Sequence, residues 1–443
     1  MTAPSQSFTR TRSTAVPDIA PLLVILTLAF SVRLWWILAA DLDITGGFHF
    51  DMSWYHAMGI RIAGGEGLTR MSGVPTAEWP PAYPAVLGLI YALVGPVVLV
   101  PQILNALLAT ATCALVYELG RRVDGARAGL VGASLLALSP GDIMFAPLLL
   151  AEVSFTAALV AACLLFVVAE ERGRMTGRTA ASVGIALGFA TLFRGASIAF
   201  PGVLALASLG GGRPAGATAR ALGLMCLGLL LMLAPWAIRN QIRLGTPVLL
   251  STSLGRTLAH AHSEHESGGR SLTELRHRMD FWKSYEHIPQ PRREIEINRA
   301  FTRDALSWAA KNPGREVALV PVRLVNLYRR DHAAMEWGRV AVDAADGTRQ
   351  IRPLLGFLPD VVLARLADFY FLVLVAAGMV GALILTRRRE TRALLIPGAI
   401  AYFTLLHCIV FPGEPRYHYP VVPFLAIAAG VSLSRLARGD ARP

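Results

Sequence analysis

Charge is scarce in this chain. Only 16% of its 443 residues are Asp, Glu, Lys or Arg, 54% are hydrophobic, and mean hydropathy is +0.50. That shortage excludes a water-soluble fold, because so few polar side chains cannot cover so much apolar surface. Cysteine is scarce too: Cys113, Cys163, Cys226 and Cys408 all sit in apolar runs without paired spacing. This excludes a disulfide framework and a thiolate zinc site. No solenoid-type repeat is present, and no low-complexity tract beyond the Ser/Thr-rich N-terminus. The inverted repeat of many secondary transporters is also missing. The net charge of +12 comes without interleaved aromatics and so does not describe a nucleic-acid surface.

What the sequence has in quantity is long apolar runs. The segment from Pro21 to Ala40 reaches the about 20 residues that cross a hydrocarbon core, and comparable runs recur. In lipid the backbone must satisfy its own hydrogen bonds, so these runs are helices. The fold class is therefore an all-α polytopic membrane protein with about ten transmembrane helices, at 20–40, 102–120, 128–144, 152–169, 180–194, 196–209, 219–238, 362–386, 393–411 and 419–437. Arginine clusters at Arg121 and Arg122, Arg172 to Arg178, Arg213 and Arg220, Arg387 to Arg389, and Arg435 and Arg438 fall on alternate sides of successive spans. All can face the cytoplasm together, which accounts for most of the positive charge. An uncleaved first span fits better than a secretory signal, since its apolar run is too long for one and Arg33 interrupts it.

This topology divides the chain into a cytoplasmic tail 1–19, a membrane core 20–238 with a first outer loop 41–101, an extracytoplasmic region 239–361, and C-terminal spans with a cytoplasmic tail 362–443. Residues 85–100 would reverse every later loop if they crossed, so they are expected to form a juxtamembrane or re-entrant segment. The spacing of Ile295, Ile297, Phe301, Ala305 and Trp308 predicts a helix over 292–310 within a small helical subdomain, and 317–327 is expected to lie along the membrane surface. Single cysteines introduced as Ser263→Cys or Gly347→Cys, in a cysteine-free background, should label in intact cells with an impermeant thiol reagent. Labelling only after the inner membrane is lysed reverses the topology.

Membrane-edge charges are costly and therefore functional candidates. On the outer side these are Asp51, in Phe48-His49-Phe50-Asp51-Met52-Ser53-Trp54-Tyr55; Glu78, before Trp79-Pro80-Pro81; Glu152; Arg194; Arg239; and Arg416, in Gly413-Glu414-Pro415-Arg416-Tyr417. Carboxylates suit base catalysis and orientation, and arginine forks suit phosphate. Each has a plainer reading. Glu78, Arg239 and Asp142 can simply anchor helix ends, and Asp51 can cap a helix starting at Ser53. His260, His262 and His265, interleaved with Glu264 and Glu266, match no standard metal motif and read as a solvated loop. His407 and His418 flank the last outer loop, where they could contact substrate or serve as satisfied structural groups.

Six stretches in order carry a resemblance: an acid after the first span, Pro75 to Pro84, Ser139-Pro140 followed by Glu152, Phe193-Arg194-Gly195, Ala234 to Asn240, and Gly413 to Tyr417. The chain resembles bacterial GT-C glycosyltransferases of the protein O-mannosyltransferase, lipid A aminoarabinose transferase and rhizobial lipopolysaccharide sugar-transferase type. The resemblance implies a seven-helix core, a catalytic acid in the first outer loop at Asp51, and a second acidic position at Glu152. It also implies a sugar donor carried on polyprenyl phosphate and a glycan, lipid or protein acceptor, with membrane lipids around the chain and no nucleic-acid partner. The expected site is on the extracytoplasmic face of the inner (plasma) membrane. Arg194 and Arg416 lead as phosphate ligands, joined by Arg239, Glu78, Tyr417 and His418 as substrate contacts. No cofactor is certain; a divalent metal stays open at Glu152, although some relatives carry an acidic pair where this chain has one Glu. The competing reading is a transporter or flippase for a lipid-linked substrate, which would place its ionisable groups at the bilayer midplane.

Overall fold

A computed structural model describes residues 19–40, 42, 50–70, 73–264, 266, 281–337, 341–343, 349–351 and 353–439. Helix α1 (Ala20–Ala39) leads to two shorter helices packed on each other, α2 (Phe50–Ala63) and α3 (Ala82–Val94). Then come α4 (Leu99–Asp124), α5 (Ala126–Ala137) and the short α6 (Pro140–Phe145). The run α7 (Glu152–Glu171), α8 (Gly177–Phe193), α9 (Phe200–Gly210) and α10 (Ala215–Leu244) completes the N-terminal bundle. Residues 254–336 contribute α11 (Leu254–Ala261), α12 (Arg292–Lys311), α13 (Pro313–Tyr328) and α14 (Ala333–Glu336). The chain closes with α15 (Asp360–Thr386), α16 (Thr391–Leu405) and α17 (Val422–Leu436). Among the described residues, seven helices are long and apolar enough to cross a bilayer, with shorter apolar ones beside them. The chain is thus an all-α, polytopic membrane fold.

The structure departs from the sequence expectations in three places. The span expected over 128–144 is broken: α5 stops at Ala137 and α6 begins at Pro140, whose ring removes a donor and holds Ser139 extended at ψ 113°. The span expected over 196–209 is a 3₁₀ turn, Gly195–Ser197, followed by α9 with Pro201 in its first turn. The outer region is not purely helical, since Ala341–Asp343 pairs antiparallel with Arg349–Ile351, Ala341 opposite Ile351. Helix α3 has 13 residues, about 20 Å at a rise of ~1.5 Å per residue, which is short of a full crossing.

Breaking a helix inside a bundle leaves carbonyls without partners, and the neighbouring helices supply them. The Arg33 guanidinium of α1, fully buried, donates to the Leu136 and Ala137 carbonyls at the end of α5, both at 3.1 Å, and to Ala29 at 2.8 Å. Its remaining donors meet Asp142 of α6 in a buried ion pair. From α4, Gln102 donates to Pro147 O and Asn105 to Ala146 O and Leu148 O. The irregular stretch between α6 and α7 is thereby held rigid, and it sets where Glu152 begins α7. Asp142 and Arg33 are structural in this arrangement.

At the opposite end of the bundle the arginine clusters meet acids. Arg122 and Arg392 pair with Glu171, Arg213 with Glu170, and Arg388, Arg435 and Arg438 with Asp124. Arginines from four of the five clusters thus gather around Asp124, Glu170 and Glu171, at the end of α7 opposite Glu152.

Candidate active site

Helix α2 carries Asp51 in its first turn, where the positive end of the helix dipole favours a carboxylate. The same holds for Glu152 at the start of α7, 2% exposed. Arg194 occupies the break between α8 and the 3₁₀ turn, in extended backbone (φ −149°, ψ 129°) that lets its side chain leave the helix axis. Arg416 enters from the Gly413–Tyr417 loop, which lies directly on α13. A Cβ at Gly413 would come within 2.1 Å of the Arg323 carbonyl, so only glycine permits that approach.

Chain segments far apart in sequence meet here as two acid–base pairs. Arg416 Nη1 is 2.8 Å from Asp51 Oδ2, and Arg194 pairs with Glu152. Both guanidinium groups lie over the Tyr417 ring, Arg416 at 5.1 Å and Arg194 at 5.4 Å from its centroid. An electron-rich ring face lets two cations approach each other at lower cost than apolar packing would. Arg416 is also 4.6 Å from the Trp337 ring and 3.4 Å from Glu414. His407, buried, stacks on Tyr417 with centroids 4.6 Å apart.

Tyr55, buried on α2, lies within electrostatic reach of all four charged groups. Burial, with the Asp51 and Glu152 carboxylates behind it, pushes its phenol above the ordinary value and outweighs the two arginines, so it stays protonated. Around it the Pro75 to Pro84 stretch provides aromatic walls: Trp79 lies tilted against Trp54 with ring centroids 3.8 Å apart, and Tyr83 meets Tyr55 edge-on at 5.1 Å.

The other expected contacts lie elsewhere. Glu78 is held by Arg70 and Arg256, each at 2.8 Å. Arg239 donates to the Thr76 and Leu68 carbonyls at 2.9 and 2.7 Å, fastening α10 to the first outer loop. Buried Glu294 of α12 completes that cluster, accepting from Thr76, Thr252, Arg70 and the Ala77 amide. His418 faces away from Asp51. Its Nδ1 donates to the Leu327 carbonyl at 2.8 Å, and its Nε2 meets Asp331 at 2.9 Å. Sequence reasoning did not single out Tyr55, Glu414 or Trp337, although Tyr55 and Glu414 sit within stretches it quoted.

Among the described residues no group of three His, Cys, Asp or Glu side chains is arranged to hold a metal ion. His260 and His262 belong to α11 and its end, where His262 bonds Glu316 at 2.8 Å; His265 lies outside the described residues. The chain's lysines are Lys283 and Lys311, so cationic recognition near Asp51 falls to arginine.

Residues 78–238 match the family model of dolichyl-phosphate-mannose-protein mannosyltransferases. No curated protein matches the sequence. The fold is similar to that of ArnT from Cupriavidus metallidurans in the apo state, at TM-score 0.55 and 19% identity over 96% of this chain and 62% of that one. It is also similar to the apo Archaeoglobus fulgidus oligosaccharyltransferase, at TM-score 0.54 and 15% identity, covering 95% and 50% of the two chains. The archaeal oligosaccharyltransferase AglB from the same organism, solved with an inhibitory peptide and a dolichol-phosphate, matches at TM-score 0.51 and 15% identity, over 94% and 51%. The chain thus spans about half the length of the oligosaccharyltransferases it matches. At these identities the likeness is one of fold alone.

Proposed function

We propose that the protein is a membrane glycosyltransferase. It moves a sugar from a polyprenyl-phosphate donor to an acceptor hydroxyl on the extracytoplasmic face, inverting the anomeric carbon, with Asp51 as base. The observation that carries this reading is the pair of guanidinium groups over Tyr417, Arg194 held by Glu152 and Arg416 by Asp51 and Glu414, at one end of a bundle of apolar spans. Two convergent forks make a site for a phosphate that reaches the protein through the bilayer. The matched family model and the likeness in fold to a protein solved with dolichol-phosphate support that choice of donor.

In the transfer, the acceptor oxygen attacks the anomeric carbon and Asp51 takes its proton. The bond from that carbon to the phosphate oxygen breaks on the opposite side. The lipid phosphate departs with the electron pair, its growing charge stabilised by Arg194 and Arg416. Before substrate arrives, Arg416 pairs with Asp51. A bound donor phosphate competes for that guanidinium and releases the carboxylate, so donor binding prepares the base. Glu152 holds Arg194 in place, and protonated Tyr55 lies within electrostatic reach of both acids.

The test uses the full chain in proteoliposomes with lipid-linked sugars extracted from cells lacking the gene. Free polyprenyl phosphate should appear in an acceptor-dependent manner, one molecule per sugar transferred, and the product should have the opposite anomeric configuration to the donor. Arg416→Lys should raise the donor KM by about tenfold, because a point ammonium loses a charge-assisted hydrogen bond of ~1.5 kcal/mol that the fork makes. Movement of intact lipid-linked sugar between leaflets without phosphate release overturns the reading in favour of a flippase.

A further inference from the structure

Arg416 faces two ways. Besides Asp51, it borders a polar cavity of about 390 Å³ shared with Glu414, Arg329, Arg330, Glu336 and Asn326, a size common among small-ligand sites. Nothing in the transfer chemistry above uses this cavity. Two of its arginines stand on the turn between α13 and α14, and that turn is pinned from several directions. Asp331 N and His332 N donate to Asp368 of α15 at 2.8 and 3.3 Å, and His332 Nδ1 meets the same carboxylate. On the far side Asp331 accepts from the Gly141 amide at 3.0 Å, an approach that a Cβ at Gly141, 2.2 Å from its carboxylate, would block. The residues just before this anchor, Arg329 and Arg330, are therefore presented from a fixed backbone.

The charges in the cavity are unevenly matched. Arg330 pairs with Glu336 at 3.0 Å, and Arg416 is shared between Asp51 and Glu414. Arg329, exposed at the cavity, has no ion pair among the described residues. Glu336, Glu414 and Asn326 provide the acceptors that hydroxyl groups seek, and the surplus cation provides a place for one acid group.

Resting on the transferase reading, we propose that this cavity is the acceptor subsite and that it takes an acidic saccharide. That ligand carries a phosphate or carboxylate close to the hydroxyl that is glycosylated. The acid group pairs with Arg329 and Arg330, and the sugar hydroxyls bond Glu336 and Glu414. The attacking hydroxyl then lies at the Arg416 wall, beside Asp51. A free glycan and a glycolipid headgroup share this chemistry.

The test has two arms. Mass spectrometry of the envelope from cells lacking the gene identifies the under-glycosylated acceptor that accumulates, and lipid extraction shows whether it is glycolipid or free glycan. An acid group within a sugar or two of the missing residue is expected. A neutral acceptor, or a protein one, overturns the proposal while leaving the transferase reading intact; loss of no glycan at all defeats the transferase reading itself. In the second arm the purified full-length protein is given that acceptor and its methyl-esterified, uncharged form. Arg329→Gln and Arg330→Gln should each raise the KM for the charged acceptor about tenfold, Arg329→Glu should raise it further, and the donor KM should move less than twofold. All three should lose the preference for charged over esterified acceptor. If instead the donor KM rises and the acceptor KM does not, the cavity belongs to the donor headgroup and the proposal falls.

Discussion

Asp51→Asn should lower sugar transfer by roughly 10²–10⁴-fold, the range for loss of a positioned general base. The substitution keeps the size of the side chain and can still accept a hydrogen bond from Arg416, 2.8 Å away, but it cannot take the hydroxyl proton. Donor KM should change little, because Arg194 and Arg416 remain. Glu152→Gln should act in the other direction: with its ion pair to Arg194 weakened, that guanidinium loses its orientation, and KM should rise more than kcat falls. Steady-state kinetics with the same lipid-linked donor separate the two effects. Wild-type turnover in a stably inserted Asp51→Asn protein would leave Asp51 as no more than a favourable charge at the start of α2.

Arg33→Ala should be the most damaging substitution for the fold. It leaves Asp142, 4% exposed, as an unpaired buried carboxylate, a change that typically costs about 3–5 kcal/mol. It also removes the Arg33 donor from the Ala137 carbonyl at the end of α5, whereas the Leu136 carbonyl keeps the Ser139 amide. Asp142→Asn creates the converse mismatch, since Arg33 then remains buried without a counterion. The double variant Arg33→Met with Asp142→Leu should recover some of the loss and not all of it. Apolar side chains can replace a buried ion pair, but they cannot satisfy the Ala137 carbonyl. Size-exclusion profiles and thermal unfolding in detergent check this series. A single Arg33→Ala protein as monodisperse and heat-stable as wild type would show that the break at Ser139-Pro140 needs no support from α1.

The Arg33 bond network also illustrates which parts of the fold a reader of the sequence can see. Arg33 is visible as an interruption of an apolar run, and Pro140 as a helix breaker, yet their connection spans more than a hundred residues and leaves no local mark. The long helices were legible for the opposite reason. Within α1, α4, α7, α10 and α15, lipid forces each backbone donor to find its acceptor four residues away, so local hydropathy is sufficient. Helix α12 was legible from periodicity, since Ile295, Ile297, Phe301 and Ala305 are buried as their spacing implies. Helix α2 was legible only as a helix from Ser53 that Asp51 could cap; the structure starts it at Phe50, with Asp51 in its first turn, and packs it against α3 with Gly59 lying against Leu87 and Tyr91.

The candidate site divides along the same line. That Asp51, Glu152, Arg194 and Arg416 belong to one end of the molecule followed from the alternation of spans and arginine clusters, a property of sequence order alone. Which acid meets which base did not follow. From the sequence, Arg416 led, Arg239 stood behind it as a further contact or a helix anchor, and His418 was as eligible as Tyr417, because charge pairing at a membrane edge depends on distances between segments that chain order does not encode. The tertiary structure sends Arg239 to the Thr76 and Leu68 carbonyls and His418 to Asp331, and it leaves Arg416 on Asp51. Insertion into lipid is written residue by residue in hydropathy, whereas the arrangement of the charges is settled only when the packed helices fix which side chains come within reach of one another.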